Sequence, residues 1–483
     1  MHKTTLLMRS AVLTAVLGAF GAQALAQERP GAVQAWLTTG DQSKLMARAA
    51  DARFGTAKTA PTVIDIDPAK RFQEMQGFGA SITDASAYLI QQRMKPAQRE
   101  ALLRDLFGRN PGLGMSFTRL TIGASDFSQQ HYSFDDMPAG EADPELKRFS
   151  IDPHRATVLP TVKAALAVNP QLKVMASPWS APGWMKTGGS LVKGALKPEA
   201  YDAFARYLGR YVGAMQKEGV PIFALTLQNE PHFEPADYPG MRVDPASRAA
   251  FIGGHLGPLL AREHPGTTLF DWDHNWDEPD SPATVLKDPV AARYVSGVAW
   301  HCYAGNVAVQ AKVHAQFPGK DTWFTECSGG GWATDWAKNL MFFTRTLTID
   351  TTRGWARGVL LWNLALDENS GPHLGGCKDC RGVVTIDSRT GEVTRNVEYY
   401  ALAHTSRFVL PGARRVQSSE AAGELSNVAF RNPDGSLALV VANGARAAQT
   451  FSVRVKGQSF RYTLPGMSVA TFAWGGKPSA APD

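Results

Sequence analysis

Eight short apolar runs recur through the middle of the chain, and they constrain the fold more than any other feature. Each is nearly continuous in hydrophobicity, as expected of β-strands buried on both faces. The runs are Gln76–Ile82, Met115–Ile122, Leu172–Ser177, Ile222–Leu227, Thr267–Asp271, Gly297–Tyr303, Thr322–Glu326 and Gly358–Leu364. Helix-like stretches lie between them, at Pro96–Phe107, Asp152–Ala167, Pro198–Glu218, Pro245–Glu263, Pro289–Tyr294 and Trp332–Thr348. This alternation predicts an α/β fold, a (β/α)8 TIM barrel, which we place at residues 75–395.

A second domain is predicted at the C-terminal end, where the pattern changes after Tyr400. Short strand-like runs are separated there by turn signals such as Asn432-Pro-Asp-Gly435 and Asn443-Gly444, which is typical of hairpins. The runs are Leu425–Arg431, Leu437–Asn443, Gln449–Val455, Phe460–Leu464 and Ser468–Trp474. They predict a small antiparallel β-sandwich at residues 396–475. Residues 27–74 include the strand-like Thr62–Arg71 and are expected to contribute to it, whereas the Gly/Pro/Ala-rich end at 476–483 is predicted to be disordered.

The N-terminal 26 residues have the pattern of a secretory signal peptide. A basic start precedes the short apolar stretch Ala11–Phe20, and Ala24-Leu-Ala26 forms a small-x-small cleavage site. The apolar stretch is too short to span a membrane, and no later segment is long enough, so the mature protein is expected to be secreted or periplasmic. Cleavage lowers the formal charge from +6 to +4, since it removes two basic residues and no acid. With no basic block, nucleic acid is not an expected partner.

Two glutamates, Glu230 and Glu326, each close one of the apolar runs. A buried carboxylate at a strand end is costly without a partner. The active sites of TIM barrels lie at these C-terminal strand ends. The two runs are the fourth and seventh barrel strands, so we expect the carboxylates to face one another across the mouth. Paired carboxylates that act as acid and nucleophile are above all the machinery of glycoside hydrolysis, which needs no cofactor and no metal.

The four cysteines, Cys302, Cys327, Cys377 and Cys380, are too few for a disulfide scaffold in a chain of 483 residues. Cys377-Lys-Asp-Cys380 allows a local disulfide, half of a metal site or a redox pair. Cys302 and Cys327 each follow a candidate active-site residue, which keeps a metal cluster as an alternative. Zinc sites usually show tighter ligand spacing, so a loop disulfide or free thiols are the favoured interpretation.

Eight motifs, in order along the chain, carry a resemblance to a known family. They are Gly77-Phe-Gly-Ala-Ser-Ile-Thr-Asp84, Thr118-Arg-Leu120, Ser125-Asp-Phe-Ser128, Ala176-Ser-Pro-Trp-Ser-Ala-Pro-Gly-Trp-Met-Lys186, Thr226-Leu-Gln-Asn-Glu-Pro231, His301-Cys-Tyr303, Thr325-Glu-Cys327 and Trp362-Asn-Leu-Ala-Leu366. The chain thereby resembles glycoside hydrolase family 30, which includes the glucosylceramidases and the β-1,6-glucanases. The resemblance implies a retaining β-glycosidase, a (β/α)8 barrel and an attached β-sandwich.

The resemblance also implies roles for individual residues. Glu230 would be the acid/base and Glu326 the nucleophile, with Arg119 beside Glu326 to keep it ionised. The remaining substrate-binding residues that we predict are Asp126, Trp179 and Trp362 around a glucose, Asn229 at its 2-hydroxyl, Tyr303 on the nucleophile and Tyr238 on the leaving-group side. His301 is expected to act through these residues rather than on the sugar.

Two departures from the animal glucosylceramidases leave the leaving group open. Cys302 stands where those enzymes carry Trp, and the loop after Trp362 reads Gly375-Gly-Cys-Lys-Asp-Cys-Arg-Gly-Val-Val384. We therefore expect an exported retaining β-glycosidase acting on β-D-glucosidic bonds, of the glucosylceramidase type, with an endo-β-1,6-glucanase as the alternative. A xylanase of the same family and a non-catalytic carbohydrate-binding protein are the remaining hypotheses. The substrate is either a glycolipid or a β-glucan, and oligomeric state is left open.

Overall fold

The computed structural model describes residues 31–55, 59–421 and 423–476, so the predicted signal peptide and the predicted tail beyond Gly476 lie outside the described residues. The strands are β1 Ala32–Thr39, β2 Ala47–Arg53, β3 Thr62–Glu74, β4 Gly77–Ser81, β5 Phe117–Ile122, β6 Lys173–Pro178, β7 Ile222–Thr226, β8 Thr268–Asn275, β9 Val295–His301, β10 Asp321–Glu326, β11 Gly329–Gly330, β12 Ala356–Asn363, β13 Ala365–Leu366, β14 Cys380–Arg381, β15 Val384–Ile386, β16 Val393–Arg395, β17 Arg414–Ser418, β18 Leu425–Arg431, β19 Leu437–Asn443, β20 Gln449–Val455, β21 Gln458–Leu464 and β22 Ser468–Trp474. The α-helices are α1 Asp84–Tyr88, α2 Pro96–Phe107, α3 Asp152–Arg155, α4 Val158–Val168, α5 Tyr201–Lys217, α6 Pro245–Phe251, α7 Gly257–Glu263, α8 Asp280–Lys287, α9 Ala308–Gln316, α10 Trp336–Met341, α11 Thr351–Arg353 and α12 Val397–Ser406.

Strands β4–β10 and β12 form a closed, parallel, eight-stranded barrel, which confirms the predicted TIM barrel. All eight predicted runs are barrel strands. Strands β7 and β10, which lead to the two glutamates, are not diametrically opposite, because β8 and β9 lie between them in the barrel wall. The glutamates therefore meet over one half of the mouth.

The helical layer differs from the prediction in several places, two of which lie between β8 and β10. The helix between β8 and β9 is Asp280–Lys287, and Pro289–Tyr294 contributes only the short 3₁₀ turn Ala291–Arg293. The helix ends before Pro289, since proline offers no N–H and restricts the residue that precedes it. Helix α9, between β9 and β10, has too few apolar residues on its face to have been recognised, and it buries only Gln310 and Val313.

The barrel interior is filled by side chains, so it is a packed core rather than a pore. Trp323 stacks on Phe270 with ring centroids 4.5 Å apart. Gly358 lets Phe117 lie across the barrel, because a Cβ at Gly358 would lie 2.7 Å from its ring. The interior layer consists of Phe117, Met175, Ala224, Phe270, Ala299, Trp323 and Leu360. This apolar plug lies beneath the polar residues at the strand ends and gives them a rigid base.

Nine strands from both ends of the chain form the second domain. Their order is β2-β1-β22-β19-β18-β17-β3-β20-β21, and every pair is antiparallel except β3 with β20. The two ends of the sheet approach each other where Phe54, just after β2, packs against Phe460 of β21 at 5.2 Å. The sheet thus folds over its own core into the predicted β-sandwich. Helix α12 occupies the first residues of the segment that we predicted as sandwich, and the C-terminal sandwich strands begin at Arg414.

His404 of α12 joins the barrel to the sandwich. Its ring is fully buried, and its two nitrogens lie 2.8 Å from the hydroxyls of Thr471 and Thr38. Burial lowers the pKa of His404 from its ordinary 6.5 to about 3. The imidazole is therefore neutral when folded, with one nitrogen donating and the other accepting.

The depressed pKa of His404 predicts loss of stability in acid. As pH falls from about 6.5 to about 3, the unfolded chain takes up a proton on His404 that the folded chain does not, so folding becomes less favourable across that window. We expect His404→Gln to be less stable at pH 7, because it cannot satisfy both hydroxyls, but to lose less further stability on acidification. Urea midpoints from pH 7 to 4 measure this, with the partly exposed His255→Gln as control; parallel curves for wild type and His404→Gln would contradict it.

No helix within the described residues is long and apolar enough to cross a membrane.

Candidate active site

The C-terminal ends of the barrel strands surround a cavity of about 540 Å³. Both glutamates line it, together with most of the other residues predicted from the sequence. The predicted residues at the cavity are Asp126, Trp179, Asn229, Glu230, Tyr238, Tyr303, Glu326 and Trp362. Arg119 lies beneath them, fully buried, on β5. The structure therefore brings all nine predicted site residues to one place.

The two glutamates approach closely. One carboxyl oxygen of Glu230, one of Glu326 and one ring nitrogen of His301 all lie within 4.8 Å of one another. Retaining glycosidases hold their carboxyl groups about 5–5.5 Å apart, whereas inverting enzymes need about 6.5–9.5 Å to admit a water molecule. The short spacing suits direct attack by one carboxylate.

Glu326 is held by two donors. The guanidinium of Arg119 donates to one carboxyl oxygen at 2.5 Å, and the hydroxyl of Tyr303 donates to the other at 2.9 Å. Arg119 also stacks over the ring of Trp179, with 4.8 Å between the guanidinium carbon and the ring centroid. Two donors thus fix the orientation of the Glu326 carboxyl group, which a nucleophile requires for in-line attack.

Glu230 lies in a different environment. Its backbone adopts a positive φ of 47°, which is uncommon for a non-glycine residue and is often found at functional sites. Its N–H donates to the carbonyl of Asp273 at 3.1 Å, which holds this conformation in place. Burial raises the pKa of its carboxyl group, and the neighbouring His301 only partly offsets that rise. A raised pKa is what a general acid needs.

Asp273 lies beneath the site and forms hydrogen bonds to several of its residues. The sequence analysis did not identify it. It is fully buried, and Arg119 donates to it at 2.6 Å. The other groups bonded to its carboxylate are His301 at 3.0 Å, Thr325 at 2.7 Å, Thr226 at 2.7 Å and Ser177 at 2.8 Å. Burial alone would raise the pKa of Asp273, but Arg119 and His301 hold it well below its usual range. Asp273 is therefore a fixed negative charge.

Three bulges turn the decisive side chains into the site. In each, one extra residue interrupts the pairing of two barrel strands: Asp273 in β8, Thr325 in β10 and Trp362 in β12. A bulge reverses the side-chain alternation locally and is common next to active sites. The bulge in β8 also places Trp272 and Asp273 at positive φ, 80° and 52°. The sequence signal was the polar run Asp271-Trp-Asp-His-Asn275, which directly follows an apolar strand, as Glu230 and Glu326 do.

His301 is positively charged in this setting. Burial opposes its charge, but the negative charge of Glu326 and hydrogen bonds to Asp273 and Glu230 outweigh that effect and raise the pKa of His301 to about 9. Both ring nitrogens then carry hydrogen and donate, to Asp273 at 3.0 Å and to Glu230 at 3.1 Å. The cluster of Glu230, His301 and Glu326 has the spacing of a metal site. A protonated imidazole has no lone pair to ligate a cation, so we interpret the cluster as a charge network.

The deep end of the cavity is suited to one sugar ring. Trp179 and Trp362 stack on each other there, with ring centroids 5.0 Å apart. Asp126 faces them, and Gly376 allows it to do so, because a Cβ at Gly376 would collide with the Asp126 side chain. Burial and the charges of Glu326 and Glu230 raise the pKa of Asp126 to about 8. At neutral pH Asp126 is mostly protonated, so it can donate as well as accept a hydrogen bond.

The cysteines form two disulfides, so the hypotheses of free thiols, of a cysteine metal cluster and of a metal half-site are wrong for the described residues. Cys377–Cys380 is the predicted loop disulfide, and both residues line the cavity. Cys302–Cys327 was not predicted as a pair. It joins the chain just after β9 to the chain just after β10. Because Cys302 is next to Tyr303 and Cys327 is next to Glu326 in sequence, the disulfide links the two segments that carry these residues.

Replacing Arg119 by lysine tests whether the shape of its guanidinium group matters in addition to its positive charge. One of its nitrogens donates to Glu326, while the other reaches both Asp273 and Asn229. Lysine keeps the charge but cannot reproduce this planar fork. We expect Arg119→Lys to lower kcat for an aryl β-glucoside by about 100-fold through displacement of Glu326. Arg454→Lys, which alters an exposed pair with Asp65 on the sandwich, is the matched control; equal rates for the two variants would contradict the role.

Sequence comparisons identify the family of the chain. Models described as the glycosyl hydrolase family 30 TIM-barrel domain and beta sandwich domain match residues 75–409 and 412–472. The endo-1,6-beta-D-glucanase neg1 of Aspergillus fumigatus is 34% identical over 452 residues, which cover 86% of this chain and 88% of that protein. The lysosomal acid glucosylceramidase of Mus musculus is 31% identical over 441 residues, which cover 85% of this chain and 83% of that protein.

A solved structure leads to the same family. That of the endo-beta1,6-glucanase BT3312 superposes with a TM-score of 0.84 at 33% identity, and the match covers 92% of this chain and 99% of that one. The fold, the paired carboxylates and both domain matches agree with one another. The chain therefore belongs to glycosyl hydrolase family 30, a family of retaining glycoside hydrolases.

Proposed function

We propose that the protein is an endo-β-1,6-glucanase. The pair of carboxylates, less than 5 Å apart at their nearest oxygens and lining the same cavity as the stacked rings of Trp179 and Trp362, supports hydrolysis of a glycosidic bond. The choice of a β-1,6-glucan rests on the sequence identities. Two relatives that bear the name endo-1,6-β-glucanase are 34% and 33% identical, compared with 31% for the mouse glucosylceramidase. The sequence analysis placed glucosylceramide first; the identities favour its alternative.

The proposed reaction has two displacements. Glu326 attacks the anomeric carbon while Glu230 donates its proton to the departing glycosidic oxygen, which gives a glucosyl-enzyme. Glu230, now ionised, takes a proton from water, and the resulting hydroxide displaces Glu326 with net retention. As the second displacement breaks the ester, Arg119 and Tyr303 donate to the carboxylate of Glu326 that re-forms. Asn229 is placed to bind the 2-hydroxyl.

Glucosylceramide remains the second candidate because the rim of the pocket has exposed apolar side chains. Phe233 is 46% and Trp332 57% exposed. A ceramide would require such a rim to continue as an apolar surface. Here the same rim includes the polar residues Asp237 and Asn275, which favours a substrate rich in hydroxyl groups.

Product analysis on both substrates tests the proposal. Purified enzyme is incubated with a linear β-1,6-glucan and, separately, with glucosylceramide in detergent, with Glu326→Gln as the inactive control. We expect a ladder of short gluco-oligosaccharides from the glucan at early times. Glucose alone as product would indicate exo action, and turnover of glucosylceramide without glucan cleavage would establish the second candidate.

We also propose that the protein works outside the cytoplasm. Two disulfides near the active site support this, since such bonds persist in oxidising compartments. Expression with the native N-terminus, followed by N-terminal sequencing of the protein from the cell exterior or periplasm, tests it. The expected first residue is Gln27; intact Met1 in the cytoplasmic fraction would contradict the proposal.

A further inference from the structure

Trp332 is the most exposed of the large hydrophobic side chains that line the catalytic cavity. At 57% exposure it presents most of an indole ring to solvent beside the catalytic glutamates. It lines not only the catalytic cavity but also a second cavity of about 500 Å³. Trp332 therefore lies between the two cavities. A glucan chain that passed from the catalytic cavity into the second one would cross its ring.

The backbone that carries Trp332 is held in place by the residues that precede it. Gly330 leaves room for the ring, since a Cβ there would collide with the indole of Trp332. Strand β11, Gly329–Gly330, pairs with β14, Cys380–Arg381, and the N–H of Gly331 donates to the carbonyl of Asp379 at 2.8 Å. The segment before Trp332 is thus paired with the loop that the Cys377–Cys380 disulfide closes.

A buried ion pair anchors that loop to the barrel. Arg381 donates to Glu398 of α12 at 2.9 Å, and Glu398 is 1% exposed. The segment that carries Trp332 is therefore fixed through pairing, a disulfide and an ion pair, so its backbone loses little conformational freedom when the ring binds a ligand.

The second cavity has mixed chemistry. Phe342, 39% exposed, offers an apolar surface, while Thr334, Asp335 and Lys338 offer polar and charged groups. A sugar ring combines an apolar C–H face with a rim of hydroxyls and matches both. An acyl chain would leave the polar groups desolvated without partners, which is unfavourable.

We propose that the indole of Trp332 is a stacking platform for the glucosyl unit next to the one bound at Glu230 and Glu326. The cavity beyond Trp332 then receives the third glucosyl unit. This proposal rests on the proposed function and deepens it, because it assigns where the rest of a β-glucan chain lies. It also gives the Cys-x-x-Cys motif a purpose: the disulfide fixes the loop against which the platform is built.

The test compares substrates of different length on Trp332→Ala. Values of kcat/KM are measured for an aryl β-glucoside, which fills the deep pocket, and for β-1,6-linked glucose oligomers of two to five units. We expect loss of the platform to lower kcat/KM for the dimer and all longer oligomers by about tenfold, and to lower that for the aryl glucoside by no more than about threefold. Trp332→Phe, which keeps a ring, is expected to recover most of the loss.

Val290→Ala is the surface control, because Val290 is 46% exposed and lines neither cavity. If wild type cleaves the oligomers and Trp332→Ala keeps the wild-type ratio of oligomer to aryl-glucoside activity, the platform is wrong and the proposed function stands. If wild type does not cleave the oligomers, the proposed function and the platform are both overturned.

Discussion

Replacing Glu326 by Gln is expected to lower kcat for an aryl β-glucoside by at least about 10⁴-fold, because the amide cannot form the glucosyl-enzyme. The change is nearly isosteric, and Arg119 and Tyr303 can still contact the side chain, so the loss measures the nucleophile and not a collapse of the pocket. Steady-state kinetics together with unfolding midpoints check this. Glu100→Gln, on the exposed face of α2, is the matched control.

The variant Glu230→Gln separates the role of the acid/base from that of the nucleophile. It should slow an aryl glucoside with a good leaving group far less than one with a poor leaving group, for which general acid catalysis contributes about 10²–10⁴-fold. Added azide should restore turnover in Glu230→Gln and give a β-glucosyl azide, since the glucosyl-enzyme still forms. An α-glucosyl azide from Glu230→Gln, or normal rates for Glu326→Gln, would reverse or refute the assignment.

Removing Asp273 is expected to have the largest effect on stability. Asp273→Ala leaves the buried Arg119 and His301 without their shared carboxylate, and breaking a buried pair in this way costs about 3–5 kcal/mol. We expect a large fall in the urea midpoint and, because Arg119 also holds Glu326, a fall in kcat of about 100-fold. Asp65→Asn on the exposed surface is the control.

Asp273→Asn tests the charge with the shape retained. The amide keeps an acceptor oxygen but no negative charge, so the pKa of His301 should fall below about 9, which NMR titration of the imidazole would show. In wild type the raised pKa stabilises the fold fully below about pH 6.5, and this contribution is lost as pH rises to about 9. Asp273→Asn should flatten that decline. An unchanged His301 pKa would show that Asp273 does not set it.

The sequence predicted the barrel because its strands are continuous apolar runs, which need no tertiary information to be recognised. It did not predict Asp273, because a bulge in β8 turns that residue inward, and a bulge depends on the neighbouring strand. Helix α9 was missed because it buries only two side chains. The Cys302–Cys327 bond was missed although the predicted barrel places the two strands side by side, because a disulfide also requires the two side chains to point towards each other just beyond the strand ends.

Eight of the nine predicted site residues belong to a motif of consecutive residues, which is why the sequence could point to them; Tyr238 is the exception. The rim was not found by the same means: Phe233 and Trp332 have ordinary neighbours in sequence, and only the course of two loops brings them to the cavity. Sequence patterns thus described the buried part of the site, where the backbone is regular, better than its surroundings.

The order of strands in the sandwich has a consequence for biosynthesis. Strands β1 and β2 are made first, yet β1 joins the rest of the sheet only through β22, which ends at Trp474. The N-terminal hairpin must therefore wait for almost the whole polypeptide to be translated before it has its second neighbour. A nonsense mutation between Arg414 and Ser468 would leave the barrel sequence intact but leave β1 paired with β2 alone, with an open edge available for aggregation.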